Sequence, residues 1–299
     1  MWNNALHQIQ SGDRKALART VSLIENEAEG FHHFMQHLPT GHTPVIGITG
    51  APGAGKSTLT DALIALYVQN NKKVAVLCVD PSSPFNEGAL LGDRIRMSRW
   101  YNEPAVFIRS LATRGSLGGL HPKIIEVTDL MKAADFDYII VETVGVGQSE
   151  IEIAGLADLT VVVLVPEGGD EIQTMKAGIM EIADIFAVNK ADRPGADNFV
   201  KNLQQMLAPA FSNRLQEIEI IKTIATESFG VEALNLAIEK ILNSEFQNEK
   251  RSWLLAEKAY FLIQKEKMKG IEKQDLKKKI DNEPGDLNIY GFVKNFLNK

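Results

Sequence analysis

Cysteine, histidine-rich tracts, long apolar runs and excess positive charge are absent or scarce in this sequence. Cys78 is the one cysteine among 299 residues, which excludes a disulfide framework and a multi-cysteine metal site. No stretch of about 18 uninterrupted apolar residues occurs, so we expect no membrane span. The first residues lack the basic-then-apolar order of a secretory signal, and we therefore expect a cytoplasmic protein.

The charge balance is mildly acidic, with 32 Lys and Arg against 38 Asp and Glu and a formal net charge of −6 at pH 7. Because affinity for nucleic acids requires clustered positive charge, we expect no nucleic-acid partner. Hydrophobic residues make up 44% of the chain. This fraction is enough to form a buried core, which excludes global disorder.

Continuous apolar runs alternate with helical patterns through the middle of the chain. They lie at 44–49, 73–80, 105–110, 137–143, 159–165 and 184–190, with a last one near 218–224. Runs without polar alternation are typical of parallel strands that are covered on both faces. The pattern predicts a doubly wound, mostly parallel α/β domain over 41–245, flanked by helical extensions at 1–40 and 246–299.

The most specific motif is a P-loop between the first apolar run and the next helix. Its glycines let backbone N–H groups surround phosphates, and the helix that follows directs its positive end at the anion. The lysine reaches the β- and γ-phosphates, and the serine hydroxyl can ligate Mg²⁺. The predicted nucleotide-binding residues here are Gly50, Ala51, Pro52, Gly53, Ala54, Gly55, Lys56, Ser57 and Thr58.

A P-loop enzyme also needs acidic side chains near Mg²⁺. Asp80 and Glu142 end two apolar runs, and Asp93 lies in the segment LLGDRIRM. An acid at a strand end can instead cap the next helix, so this alternative stays open for each of them. The predicted metal ligands are Ser57, Asp80, Asp93 and Glu142, and the predicted catalytic residues include Lys56, Asp93 and Glu142. Segments 85–98 and 142–150 are predicted to move with nucleotide state.

The motif Asn189-Lys190-Ala191-Asp192 follows the apolar run at 184–190 and predicts a guanine site. The aspartate can accept hydrogen bonds from guanine, whereas adenine would leave it unpaired. The lysine stem can cover the base. A second contact is predicted after the next strand, mainly through backbone groups, at Ile224, Ala225 and Thr226.

Taken in order, GITGAPGAGKST, VDPSSP, LLGDRIRM, RGSLGGL, VETVGVGQSE and GDEIQTMKAGIMEIADIFAVNKAD resemble the MeaB/ArgK family of P-loop GTPases, which belongs to the SIMIBI class. The resemblance covers about residues 40–245. It implies Mg²⁺-dependent conversion of GTP to GDP, with Asp80, Asp93 and Glu142 holding Mg²⁺ directly or through water.

The resemblance also implies a partner, an adenosylcobalamin-dependent acyl-CoA mutase such as methylmalonyl-CoA mutase. The protein would gate cofactor loading and protect the mutase. Segment 168–176 would respond to the partner, and Lys176 would supply positive charge to the transition state; a solvated helix lysine is the alternative. A homodimer is implied through the C-terminal tail, whose apolar stripe could equally pack on its own domain. The stripe consists of Ile289, Val293, Phe296 and Leu297.

Three other functions stay open on the sequence. Some relatives are described as kinases linked to amino-acid transport, which makes a kinase or ATPase one alternative. A nickel-type metallochaperone GTPase is a second, although such proteins normally carry a His- or Cys-rich segment. A nucleotide-binding module without turnover is the third.

Overall fold

A parallel β-sheet forms where the sequence has its continuous apolar runs. The computed structural model describes residues 2, 4–80, 97–113, 120–143, 153–167, 182–211, 218–244, 247–283 and 287–297. The strands are β1 (Val45–Thr49), β2 (Val74–Asp80), β3 (Val106–Ala112), β4 (Tyr138–Glu142), β5 (Leu159–Leu164), β6 (Ile185–Val188) and β7 (Glu219–Lys222). Their order is β3-β2-β4-β1-β5-β6-β7, and every neighbouring pair is parallel. The predicted doubly wound α/β fold is confirmed.

Helices precede, connect and follow these strands. They are α1 (Ala5–Gln10), α2 (Arg14–Glu25), α3 (Phe31–Gln36), α4 (Lys56–Gln69), α5 (Ile124–Ala133), α6 (Ala196–Phe211), α7 (Val231–Leu242), α8 (Gln247–Lys267), α9 (Lys273–Asp281) and α10 (Ile289–Leu297). Short 3₁₀ turns occur at Ser98–Trp100, Ile153–Gly155 and Ala225–Glu227. Within the described ranges, no helix is both long and apolar enough to cross a bilayer.

The sheet is covered on both faces because successive side chains of a strand point in opposite directions. In β2, Leu77 and Val79 belong to one buried cluster, whereas Val76 and Cys78 belong to another. The first face is covered by α1, α2, α3 and α5, and further along the sheet by α6. The second face is covered by α4 and α7. Burial on both faces explains why the central strands β1, β5 and β6 are largely apolar, whereas the edge strand β7 carries Glu219 and Lys222 at its ends.

The strand order places one crevice at the carboxyl edge of the sheet. β1 lies between β4 and β5. After β1 the chain forms β2, β3 and β4 on one side of it, and then β5, β6 and β7 on the other side. Ligands of open parallel sheets bind where the strand order reverses in this way. The turn after β1, which contains the glycine-rich motif, lies at this position.

Residues 1–254 and residues 255–299 form two compact units. In the first unit the N-terminal helices share a core with the sheet, since Val21 and Ile24 of α2 cluster with Leu77 and Val141. In the second unit the Lys279 ammonium lies 4.6 Å from the centre of the Phe296 ring. The domain boundaries at 40 and 245 stay predictions.

Candidate nucleotide-binding site

The glycine-rich turn after β1 adopts a backbone that only glycine fits at both of its ends. Gly50 has φ +138°, and a Cβ there would lie 2.2 Å from the carbonyl oxygen of Val163 in β5. Gly55 has φ +92°, and a Cβ there would lie 2.3 Å from the side-chain nitrogen of Asn189. Two close contacts and two positive φ angles therefore explain these glycines. Between them, Pro52 and Gly53 are exposed and Ala54 is buried.

Helix α4 begins immediately after this turn, with Gly55 as its N-cap residue. Lys56 is buried, and its ammonium donates to the carbonyl oxygens of Gly50 (2.9 Å) and Ala51 (3.2 Å). The N–H groups of the first helical turn lie beside it, and Thr58 in that turn is partly buried. A helix N-terminus combined with a buried cation suits a polyphosphate.

Glu142 ends β4, the strand next to β1, and approaches α4 from the side. The Ser57 hydroxyl donates to one carboxylate oxygen of Glu142 at 2.6 Å, and the Thr60 hydroxyl donates to the other at 2.9 Å. Beside them, the hydroxyl oxygens of Thr49 and Thr143 lie 2.9 Å apart. The end of β4 is thus joined to the phosphate turn and its helix by buried polar contacts.

Asp80 ends β2 at the same edge of the sheet and is buried. Cys78 pairs in register with Glu142, which places Asp80 two residues farther along the neighbouring strand. The edge therefore carries two buried carboxylates and the Ser57 hydroxyl. Oxygen donors of this kind are the ligands that Mg²⁺ prefers, so the residues present fit this ion.

Two predicted residues, Asp93 and Lys176, lie outside the described part of the chain. The same holds for most of the three segments predicted to respond to nucleotide or partner, 85–98, 142–150 and 168–176. Their roles stay predictions. On the carboxyl side of the first segment, Asp61 of α4 accepts hydrogen bonds from Arg99 (3.0 Å) and from the indole of Trp100 (2.6 Å).

Asn189, which follows β6, connects the phosphate turn to the predicted base loop. Its amide nitrogen donates to the carbonyl oxygen of Ala54 at 3.0 Å. Its amide oxygen accepts from the Thr223 hydroxyl (3.2 Å) and from the backbone N–H of Ala225 (3.1 Å). The side chain is 2% exposed. Asn189 therefore holds together three segments that surround the predicted guanine position.

The two charged residues of the same motif are more open. Lys190 has φ +56°, and its ammonium donates to the carbonyl oxygen of Gly53 at 2.8 Å, so its stem extends across the turn. Asp192 is exposed. The neighbouring Arg193 forms an ion pair with Glu167, and this hydrogen bond is the main reason why the pKa of Glu167 lies below its ordinary value.

The predicted base loop is a 3₁₀ turn closed by a short bridge. The N–H of Ile224 donates to the carbonyl oxygen of Phe229 at 3.0 Å, and these two residues form an antiparallel bridge. Ile224 is partly buried, Ala225 is buried and Thr226 is exposed. The loop is thus joined to Asn189 at Ala225, and Thr226 is open at its surface.

Sequence reasoning missed two hydroxyl groups of this site, those of Thr60 and Thr223. Thr60 lies three residues after Ser57, so helical periodicity could have placed both hydroxyls on one face of α4. Thr223 directly follows β7, the neighbour of the strand that leads to Asn189. Neither position belongs to a motif, and the strand order was needed to identify their partners.

The fold and this arrangement define a P-loop GTPase. A glycine-rich turn precedes α4, a buried acid lies beside it, and an Asn-Lys-x-Asp turn lies at the carboxyl edge of the same sheet. The family described as methylmalonyl Co-A mutase-associated GTPase MeaB matches residues 17–279. The chain belongs to this family and is a GTP hydrolase.

Individual relatives and a solved structure also match most of this chain. A protein of Pyrococcus horikoshii named as a GTPase is 45% identical over 268 residues, which cover 87% of this chain and 83% of the relative. The fused isobutyryl-CoA mutase of Geobacillus kaustophilus is 35% identical over 257 residues, which cover 80% of this chain and 24% of that protein. A solved structure named as a LAO/AO transport system kinase matches with a TM-score of 0.71 and 26% identity, covering 94% of this chain and 87% of that one.

Proposed function

We propose that this protein is a Mg²⁺-dependent GTPase that assists an adenosylcobalamin-dependent acyl-CoA mutase, methylmalonyl-CoA mutase or a related enzyme. It gates cofactor loading and protects the mutase. One observation carries the mutase part: a related sequence forms about a quarter of a protein named as a fused isobutyryl-CoA mutase. A domain that is covalently joined to a mutase in one protein is a reasonable separate partner of a mutase in another.

The phosphate end supplies the groups that hydrolysis requires. The N–H groups of the turn and the Lys56 ammonium bind the phosphates, and Ser57, Asp80 and Glu142 would hold the ion. When bound, Mg²⁺ neutralises charge that develops on the phosphoryl oxygens. Water attacks the terminal phosphate in line. We further propose that Asp93 completes the ion site and that Lys176 adds positive charge when the mutase docks.

The base end supplies selectivity for guanine. Asp192 accepts hydrogen bonds from the ring N–H and the amine of guanine, and Lys190 covers one face of the base. Asn189 holds the turn and the base loop at a fixed separation, through its contacts with Ala54 and Ala225. ATP binds more weakly because adenine offers Asp192 no matching pair of donors.

A homodimer through the C-terminal helices is part of the proposal. In α10, Ile289, Val293 and Leu297 are 47%, 46% and 71% exposed. Phe296 is different, because it packs beneath the Lys279 ammonium within the same unit. A second copy that covers the three exposed side chains would bury apolar area that water otherwise contacts. Light scattering of wild type and Val293→Asp measures this directly, and a monomeric wild type would contradict it.

The decisive experiment measures phosphate release from GTP with and without an adenosylcobalamin-dependent mutase. We expect slow hydrolysis by the protein alone, abolished by chelating Mg²⁺, and a higher rate with the mutase present. Lys56→Ala serves as the inactive control. An unchanged rate at saturating mutase would contradict the coupling while leaving the GTPase assignment intact.

The kinase alternative remains relevant because the LAO/AO protein named as a kinase matches most of this chain. It predicts transfer of the terminal phosphate to a protein rather than to water. Incubation with γ-labelled GTP or ATP and a candidate acceptor distinguishes the two reactions. Label in free phosphate supports the hydrolase, whereas label in protein supports the kinase.

A further inference from the structure

Thr60 makes a contact that no sequence motif assigns. It lies one turn after Ser57 on α4, is fully buried, and donates its hydroxyl proton to Glu142 at 2.9 Å. The Ser57 hydroxyl donates to the other oxygen of the same carboxylate at 2.6 Å. The carboxylate of Glu142 is therefore held on both oxygens by hydroxyls from one face of one helix.

Two other buried threonines that lie within described helices, Thr20 and Thr128, behave differently. The hydroxyl of Thr20 donates to the carbonyl oxygen of Ala16 (2.9 Å), and that of Thr128 donates to the carbonyl oxygen of Ile124 (2.6 Å). This bond to the preceding turn is the ordinary choice for a threonine inside a helix. A hydroxyl has one proton to donate. Thr60 gives its proton to a neighbouring strand, which points to a role beyond the helix itself.

We propose that Thr60 is a positioning residue that fixes the carboxylate of Glu142 for the Mg²⁺ site. This inference rests on the Mg²⁺ dependence proposed above. Thr60 does not touch nucleotide; it acts through Glu142. With one oxygen held by Thr60, the other stays directed at the Ser57 hydroxyl, and the lone pairs of Ser57 remain available for the ion.

The length of the acid explains why such a residue is useful. Glutamate has one more methylene group and one more free torsion than aspartate, so its carboxylate has more orientations to lose when it is fixed. A second donor at helical spacing restricts those orientations before the ion arrives. An aspartate at position 142 would end about one carbon–carbon bond nearer to its strand and so farther from Thr60.

The experiment compares wild type with Thr60→Val, which keeps the shape of the side chain and removes the hydroxyl. The readout is the release rate of a fluorescent GDP analogue, measured in Mg²⁺ and again in chelator. We expect Thr60→Val to release the analogue about tenfold faster in Mg²⁺, because hydrogen bonds to charged groups are strong. In chelator the two rates should agree within twofold. For GTP hydrolysis, kcat should fall more than KM changes.

Two variants serve as controls. Thr60→Ser keeps the donor, and its release rate should stay within twofold of wild type. Thr128→Val removes a buried hydroxyl that donates to a carbonyl oxygen of its own helix, so it reports the structural effect of the same substitution. Equal Mg²⁺-dependent release for Thr60→Val and Thr128→Val would overturn the proposal.

Further outcomes distinguish a failure of the proposed Mg²⁺ dependence from a failure of the role proposed for Thr60. If Mg²⁺ does not slow release from wild type, the proposed Mg²⁺ dependence fails, and with it the basis of this inference. If Thr60→Val does not fold, Thr60→Ala and Thr60→Ser are compared by the same release assay, and equal rates overturn the proposal. In a Glu142→Asp background, Thr60→Val should change Mg²⁺-dependent release by less than twofold; an undiminished effect would also overturn it.

Discussion

The phosphate end and the base end of the site differ in how much polar surface they bury. At the phosphate end, Lys56, Ser57 and Glu142 are 7%, 8% and 3% exposed and bond to other protein groups. At the base end Asn189 is buried, whereas Asp192 is exposed. The phosphate end is organised by hydrogen bonds among several buried groups. At the base end a single buried amide makes such contacts, and Asp192, which we propose reads the base, is open to solvent.

This difference has energetic consequences. Removing one partner of a buried polar or charged contact leaves the other partner poorly solvated, which is costly. Removing an exposed group changes the stability of the fold little. Substitutions at the phosphate end should therefore affect catalysis most. Substitution of the buried Asn189 at the base end should affect stability and nucleotide affinity together. Substitution of exposed base-end groups should affect selectivity alone.

The largest effect is expected for Lys56→Ala. The change removes the buried ammonium that we propose binds the phosphates, and we expect GTP hydrolysis to fall by about 100- to 1,000-fold. Phosphate release under single-turnover conditions measures it. Lys190→Ala is the matched control, because that partly buried lysine also donates to a carbonyl oxygen of the turn. A loss of hydrolysis as large in Lys190→Ala would remove the distinction between the two ends.

The next largest effect is expected for Asn189→Ala. It removes one partner from each of three contacts, with Ala54, Thr223 and Ala225. We expect the free energy of unfolding to fall by about 1–3 kcal/mol and the affinity for GTP to fall at least tenfold. Denaturant unfolding and nucleotide titration measure the two effects.

A matched control for Asn189→Ala is Asn235→Ala, since Asn235 is also buried and donates to Glu239 at 3.0 Å. It should lower stability and leave GTP affinity unchanged. If Asn189→Ala left both stability and GTP affinity at the wild-type value, the Asn189 amide would not be needed to hold the phosphate turn and the base loop together.

Asp192→Asn should have a smaller effect, confined to selectivity. The substitution replaces a carboxylate acceptor by an amide that matches guanine poorly, so the preference for GTP over ATP should fall at least tenfold. Unfolding should not change, because Asp192 is exposed. Competition between the two nucleotides gives the ratio. Asp197→Asn, another exposed acid of the region, should keep the full preference, and an equal loss there would assign base reading elsewhere.

The smallest effect is expected for Glu167→Gln. Arg193 donates a hydrogen bond that keeps the pKa of Glu167 below its ordinary value, so the ion pair stabilises the folded state at neutral pH. Because the folded-state pKa is the lower one, this contribution is lost as the pH falls through it. We expect a slightly lower Tm for Glu167→Gln at pH 7 and no difference in strong acid. Thermal unfolding across pH checks this. A decrease in Tm at pH 7 larger than the one for Asn189→Ala would contradict the expectation that exposed groups contribute less to stability than buried ones.

Local patterns were sufficient for much of the fold and the site. The central strands could be predicted because residues buried on both faces must be apolar, although the edge strand β7 has a charged residue at each end. The glycine-rich turn and Asn-Lys-x-Asp could be recognised because the residues of each motif are neighbours in sequence. The positions of Gly50 and Gly55 also follow from the motif, although the contacts that require them, with Val163 and Asn189, do not.

Contacts between distant segments required the tertiary structure. Apolar strands carry no mark of which strand lies beside which, so the position of β4 next to β1 was open, and with it the meeting of Glu142 with Ser57 and Thr60. The contact between Thr223 and Asn189, which lie at the ends of adjoining strands, could not be predicted for the same reason. The amino-acid sequence thus determined which segments become strands and which turn carries the glycine-rich motif, through burial and backbone geometry. The order of strands decided which polar groups share a buried edge, because that order depends on how whole crossover connections pack.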